Sequence, residues 1–256
     1  MSIIDSYDEE RVAIINPKDV HERFGIKLDV CIINFSYKIM DALIASGKIE
    51  LISDDVISCV SEKFPIYVFK GTTIGVIRTA VGAPMAGGII EEVGYVFSCT
   101  KFVIFGSGGG LDRSISPNTI IVPTDAYRDE GMSYHYAPPS DYIHIKNHRT
   151  VCDILTDLGV DCIEGKSWTT DAFYRETAEN LQKRRNEGCI IVEMELSACQ
   201  AVANFRNYEL YAFLYRADNL DTTHWDKGIL SSISTDNRLA HVFLAFEIAK
   251  RITDKQ

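Results

Sequence analysis

Four short stretches of the chain put reactive side chains where apolar runs end. In the first, Phe102-Val103-Ile104-Phe105 leads into Gly106-Ser107-Gly108-Gly109-Gly110-Leu111. Glycines leave backbone amides unshielded and Ser107 adds a hydroxyl, so such a loop can hold an anion or let a sugar approach the main chain. The same composition also suits a flexible turn with no ligand. It has neither the Lys-Ser/Thr ending of a nucleotide P-loop nor the dinucleotide glycine spacing. In the second, Ile190-Ile191-Val192 leads into Glu193-Met194-Glu195-Leu196. Carboxylates there serve either as caps of a following helix or as acceptors of two hydrogen bonds from a sugar diol. In the third, Tyr211–Tyr215 leads into Arg216-Ala217-Asp218-Asn219. An Asp just past a buried strand is partly desolvated, so its pKa rises and it suits a general acid near neutral pH. The plain alternative is an Asp that caps a turn. The fourth is Thr169-Thr170-Asp171-Ala172-Phe173-Tyr174, whose two aromatics either stack on a flat base or are ordinary core.

The elements that must position these groups are legible as apolar patterns. Strand-like runs recur at Val12–Ile15, Ile66–Phe69, Ile74–Val81, Phe102–Phe105, Thr119–Val122, Cys189–Val192 and Tyr211–Tyr215. Several are apolar on successive residues, which suits central strands buried on both faces. Helical spacing lies between them, at Ala86–Cys99, Leu196–Phe205 and Arg238–Ile252. Strands alternating with helices predict an α/β sandwich with helices on both faces. In such sheets, ligands bind at the carboxyl ends of strands.

The composition is globular, with 46% hydrophobic and 24% charged residues over 256 positions. No repeat or Gly/Pro/Ser-rich linker divides the chain, so residues 1–256 read as one domain. A formal charge of −10 argues against broad nucleic-acid binding, which needs Lys and Arg to displace counterions. No apolar run reaches membrane-span length, and the polar start reads as neither a signal nor a transit peptide. Seven scattered cysteines contain no Cys-x-x-Cys pair, so no disulfide framework and no metal site is expected, and a reduced cytoplasmic setting fits.

Taken in order, these stretches resemble the purine nucleoside phosphorylase and uridine phosphorylase family, whose nucleosidase relatives cleave methylthioadenosine and adenosylhomocysteine. The segments that carry the resemblance are Val81-Gly82-Ala83-Pro84 with Glu91-Glu92, Gly106–Leu111, Tyr127-Arg128-Asp129-Glu130-Gly131 with Ser133–Pro138, Asp171–Tyr174, Val192–Glu195 and Arg216–Asp218. Each is weak alone; their order and spacing are what is specific. The resemblance implies a single-domain, three-layer α/β/α sandwich around a mixed, partly closed central sheet. It implies cleavage of the N-glycosidic bond of nucleosides without metal or organic cofactor, phosphate being a co-substrate. It also implies a homo-oligomer, either a dimer or a trimer of dimers, whose partners are a nucleoside and phosphate.

Residue by residue, the resemblance makes Asp218 the acid at purine N7, Glu195 the ribose anchor, Met194 a sugar contact and Phe173 the flank of the base. Glu193, Ser107, Gly108 and His135 join the substrate-binding set, with His135 facing the ribose 5′ end, a subunit contact or only the core. Ser107 and Arg128 are the phosphate candidates, although Arg128 with Asp129 and Glu130 also reads as a structural ion-pair cluster. Thr177 and Glu179 stand where uridine phosphorylases carry Gln and Arg, which points to a purine.

Two departures concern the nucleophile. Ile104 stands where phosphorylases carry an arginine before the glycine stretch. The turn after the presumed first strand, Asn16-Pro17-Lys18-Asp19-Val20-His21, lacks the family's Gly and Arg. Purine phosphorolysis is therefore expected, with two alternatives: hydrolysis by water with Asp19 as the nearest carboxylate, and nucleoside binding without catalysis.

Overall fold

The structure is a computed structural model and describes residues 2–58, 62–221, 225–230 and 232–253. Ten strands form one mixed sheet: β1 (Val30–Asn34), β2 (Ile49–Ser53), β3 (Ile66–Phe69), β4 (Ile74–Arg78), β5 (Lys101–Gly110), β6 (Ile120–Asp129), β7 (Tyr142–His144), β8 (Cys162–Thr170), β9 (Cys189–Glu193) and β10 (Glu209–Asn219). Their order is β10-β6-β8-β9-β5-β1-β4-β3-β2, with β7 on β6, and a further β10–β5 pairing closes the first five strands into a ring. The expected mixed, partly closed sheet is thus observed.

Among the described residues eight α-helices surround it: α1 (Pro17–Val20), α2 (Tyr37–Ala45), α3 (Ala83–Val96), α4 (Ser133–Tyr136), α5 (His148–Asp157), α6 (Ala178–Asn186), α7 (Leu196–Arg206) and α8 (Thr235–Thr253). One core lies between the sheet and α3 with α7, through Ile89, Ile90, Val93, Val202 and Leu196. The other lies on the opposite face under α2, α5 and α8, through Leu43, Ile154, Val242, Ala245 and Ala249. β1 reads Val-Cys-Ile-Ile-Asn and is buried throughout, as a strand covered on both faces must be. The entry to α3 needs Gly82, whose φ of 113° favours glycine, followed by Pro84 in the first turn.

Three expectations are corrected here. Val12–Ile15 is not a strand: it runs into Asn16-Pro17 and is exposed, Ile14 fully so. β1 is therefore the first strand, and the turn that follows it is Asn34-Phe35-Ser36-Tyr37-Lys38, not residues 16–21. The glycine stretch is not a loop either, because β5 continues as strand through Gly110. There β5 parts from β1, keeps β10 on one side and takes β9 on the other, with Gly109 opposite both Asp218 and Val192. Bare Cα atoms make that crowding possible. A Cβ on Gly108 would lie 2.6 Å from Ile191 Cγ1 and 2.7 Å from the Val192 carbonyl, and one on Gly110 would lie 2.7 Å from Arg216 Nε.

Candidate active site

The glycine end of β5 is the axis of the site. Ser107 is paired in register with Tyr215, and Gly109 with Asp218 on one flank and Val192 on the other. This brings Ser107, Gly108, Asp218 and the Glu193-Met194-Glu195 turn to one place.

The two glutamates of that turn differ. Glu193 Oε2 accepts from the amides of Glu195 and Leu196, each at 2.7 Å, so it caps α7. Its Oε1 accepts from the hydroxyls of Thr169 and, at 3.3 Å, Ser167. With both oxygens occupied, Glu193 is a positioning residue for Glu195; its expected direct contact with substrate is corrected. Glu195 is 7% exposed and, among the described residues, accepts one side-chain bond, from the Gly82 amide at 2.7 Å. Burial, and then the Glu193 carboxylate, push it up to about 8. Met194 lies between them, half-buried.

Asp218 sits at the end of β10, half-buried, with Oδ1 facing the bare Cα of Gly109. Its Oδ2 accepts from Trp225 Nε1 at 2.7 Å. Burial raises its pKa, and the Trp225 bond opposes that rise. The segment carrying Trp225 folds back on β10: Asn219 and Asp226 exchange backbone hydrogen bonds, and the Ile229 amide donates to the Ala217 carbonyl. Phe173 and Tyr174 are 50% and 89% exposed, with ring centroids 4.1 Å apart, so they are not core and remain available to flank a base.

Two expected residues go elsewhere. Arg128 is 3% exposed, and its guanidinium donates to Ser133 Oγ at 2.8 Å, the Pro138 carbonyl at 2.7 Å, Ser140 Oγ at 3.1 Å and the Ala137 carbonyl at 3.3 Å. Arg128 therefore shapes the 133–140 segment, and its role as a phosphate ligand is corrected. It forms no ion pair with Asp129 or Glu130 either; Glu130 instead accepts from Ser197 Oγ at 2.8 Å and from the Ser133 amide at 3.0 Å. His135 is exposed on α4 and, among the described residues, makes no side-chain hydrogen bond and does not line the cavity that holds Ser107.

A cavity of about 260 Å³ opens where β1, β5 and β10 end. Lys38, Ser36, Ser107, Tyr215 and Arg238 are among the residues that line it. Ser36 is the N-cap of α2 and accepts from the Ile39 amide, so the positive end of that helix dipole faces the cavity. Arg238 lies in the first turn of α8 and is 9% exposed. Among the described residues its guanidinium has no hydrogen-bond acceptor and no carboxylate within ion-pair distance. Neighbouring His241 stacks on Tyr215 at 4.0 Å; burial and then Arg238 push it down to about 4, so it is neutral at pH 7. Among the described residues, no carboxylate lines the cavity. Sequence reasoning missed Lys38 and Arg238. The available signal was an arginine on the buried stripe Arg238, Val242, Ala245, Ala249 of an apolar helix.

Asp19, the candidate base for hydrolysis, instead takes part in capping α1, accepting from the Asn16 amide at 2.8 Å. Ile104 is 2% exposed in the core. Among the described residues, no group of three His, Cys, Asp or Glu side chains is arranged to hold a metal ion. No described helix is long and apolar enough to cross a membrane.

The structure is an α/β protein around a mixed, partly closed sheet, and comparison with known proteins gives its family. The sequence model of the phosphorylase superfamily matches residues 34–241, and the chain belongs to that superfamily. It is 23% identical over 160 residues to a DeoD-type purine nucleoside phosphorylase of Bacillus cereus, covering 60% of this chain and 67% of the relative. The fold is shared with the Toxoplasma gondii purine nucleoside phosphorylase solved with immucillin-H, at TM-score 0.73 and 16% identity over 90% of this chain and 93% of that one. It is also shared with the AMP nucleosidase of Bacteroides thetaiotaomicron, at TM-score 0.70 and 15% identity over 89% and 90% of the two chains.

Proposed function

We propose that the protein is a purine nucleoside phosphorylase: phosphate attacks the anomeric carbon, and ribose 1-phosphate and free base leave. The carrying observation is the cavity where Ser107, Lys38, Arg238 and the start of α2 converge. Two cations, a hydroxyl and a helix N-terminus suit a dianion. They stand in for the arginines that the sequence lacks at position 104 and after the first strand. Among the described residues, none lining the cavity is a carboxylate that could take a proton from water, which favours phosphate over water as the nucleophile.

The remaining groups fit the three tasks of the reaction. As a phosphate oxygen bonds to C1′, the C1′–N9 bond breaks and its electron pair moves into the purine. Asp218 supplies the proton to N7, so the base leaves neutral. Positive charge develops on the ribose, and ionised Glu195 both accepts from its hydroxyls and stabilises that charge. Phe173 flanks the base, and Met194 packs on the sugar. The Gly82 amide and Glu193 hold Glu195 in place.

The test is base release from adenosine, inosine, guanosine, uridine and methylthioadenosine with and without phosphate. Purine release that requires phosphate and yields ribose 1-phosphate is the expected result. Equal release without phosphate, yielding ribose, contradicts the reading in favour of a nucleosidase. Binding with no release at all points to a protein that has lost catalysis.

A further inference from the structure

Among the described residues Asp218 has one side-chain partner, so its place depends on how the end of β10 is held. Asp221, three residues further on, joins that end to two other segments. Its Oδ1 accepts from Arg185 Nη1 at 2.6 Å. Its Oδ2 accepts from the Arg113 amide at 3.2 Å and from Arg113 Nε at 3.4 Å. The Asp221 side chain is 13% exposed, and its own amide donates to Asn219 Oδ1 at 3.0 Å.

Arg185 lies in the last turn of α6, and Arg113 follows the end of β5. One carboxylate thus ties together three segments distant in sequence. A small apolar cluster joins the same three. Leu111 after β5 and Leu181 of α6 are buried in it with Trp168, Cys189 and Val192, and Leu220 packs against it. The Leu220 amide also donates to the Gly110 carbonyl at 2.9 Å. α6 needs such a tether, because it is almost wholly polar and Leu181 is its one buried residue. Arg184 sets its guanidinium 3.5 Å from the centre of the Tyr127 ring and holds the helix toward β6. Asp221 holds it toward β10. The helix is capped by Thr177, just after the Phe173–Arg175 turn, so it has the aromatic turn at one end and the clamp at the other.

We propose that Asp221 is a positioning residue for base recognition: by clamping α6 to the end of β10 it fixes the Phe173 turn relative to Asp218. This rests on the assignment of Phe173 and Asp218 to the base made above. An exposed ion pair contributes little, but this carboxylate is sheltered and also accepts from a backbone amide. Nine helical residues span roughly 13 Å, so slack at Arg185 is carried through to the Phe173 turn. A base must stay aligned with its acid as the glycosidic bond breaks, and small misplacements there cost more than the contact that was lost. None of Asp221, Arg185 and Arg113 lines the cavity that holds Ser107, Lys38 and Arg238, so loosening the clamp leaves phosphate binding alone.

The experiment is steady-state kinetics with adenosine and inosine in turn, varying nucleoside and phosphate separately. It compares the wild type, Asp221→Ala, Arg185→Ala and the double variant, each checked for a folded thermal transition. In each single variant kcat/KM for the nucleosides is expected to fall about tenfold, with KM for phosphate within twofold of wild type. The double variant should be no worse than either single one, because both remove the same bond. If Asp221→Ala does not fold, Arg185→Ala alone carries the nucleoside-against-phosphate comparison. A fall of less than twofold in the folded single variants, additive losses in the double variant, or a phosphate KM that rises by the same factor as the nucleoside loss overturns the clamp alone. A wild type that cleaves no purine nucleoside overturns the purine reading itself, and this role with it.

Discussion

At the turn between β9 and α7, Glu193 accepts four hydrogen bonds and fixes Glu195, which in turn holds the Gly82 amide. Where β10 ends and α8 begins, among the described residues, Asp218 has one side-chain partner, Trp225, and Arg238 has none. The first region is a finished structure with one acceptor left for a ligand. The second holds these two charged groups by few contacts, so a bound anion and base are what complete it. Rigid placement suits a sugar that must be held in register with a forming cation. Sparse contacts suit groups that must desolvate and exchange protons in turn.

The contrast can be broken most severely at Asp218. Asp218→Asn keeps the shape and removes the proton, so kcat for purine nucleosides should fall by about 10²–10⁴-fold with KM little changed. Steady-state kinetics checks this, and unchanged turnover removes Asp218 from the chemistry. Next comes the anion cavity. Arg238→Ala and Lys38→Ala should each raise KM for phosphate by about 10–100-fold, the worth of one charge-assisted hydrogen bond, while nucleoside affinity moves much less.

On the finished side, Glu193→Ala should act through stability. It removes the α7 cap and leaves the Thr169 and Ser167 hydroxyls unpaired, a loss of about 2–4 kcal/mol in urea unfolding. Glu195 sharpens the same side through pH. Its folded value near 8 lies above its ordinary 4.5, so folding opposes its ionisation. Its burial costs stability progressively as pH rises from about 4.5 to about 8. Activity runs the other way: the ionised form binds the diol, so kcat/KM should gain a limb that rises with pH toward about 8, and Glu195→Gln should abolish that limb. The smallest effect is expected from Trp225→Phe. Loss of the indole donor raises the Asp218 pKa further and changes rates by only about two- to tenfold, the net value of one hydrogen bond.

Much of this was legible in the residues because strand ends are short-range signals. Val192-Glu193-Met194-Glu195 and Arg216-Ala217-Asp218 show a buried strand running into carboxylates, and the structure puts both beside Gly109. What the residues cannot display is which carboxylate is saturated. Glu193 and Glu195 look equivalent until Thr169 and Ser167, contributed by a different strand, are seen to fill the first. The glycine stretch misleads for a related reason: its lack of side chains lets β9 and β10 crowd in on both sides instead of freeing a loop. Arg128 is misleading because its acceptors are mostly backbone carbonyls, which no side-chain pattern reports. Val12–Ile15 has the composition of a strand, but no neighbour pairs with it. Taking it as the first strand displaced the turn that carries Lys38. The anion cavity joins residues 38, 107 and 238, and so depends on long-range closure that a single sequence does not reveal.

The central claim is that this cavity is where phosphate attacks. A crystal structure of the protein with phosphate and a non-cleavable purine nucleoside analogue tests it most directly. The account predicts phosphate within hydrogen-bond distance of Ser107 Oγ, Lys38 Nζ and the Arg238 guanidinium, with one oxygen facing C1′. The same structure should place the ribose hydroxyls on Glu195 and N7 on Asp218. An analogue bound with phosphate elsewhere, or with an ordered water facing C1′ from a carboxylate, would contradict it.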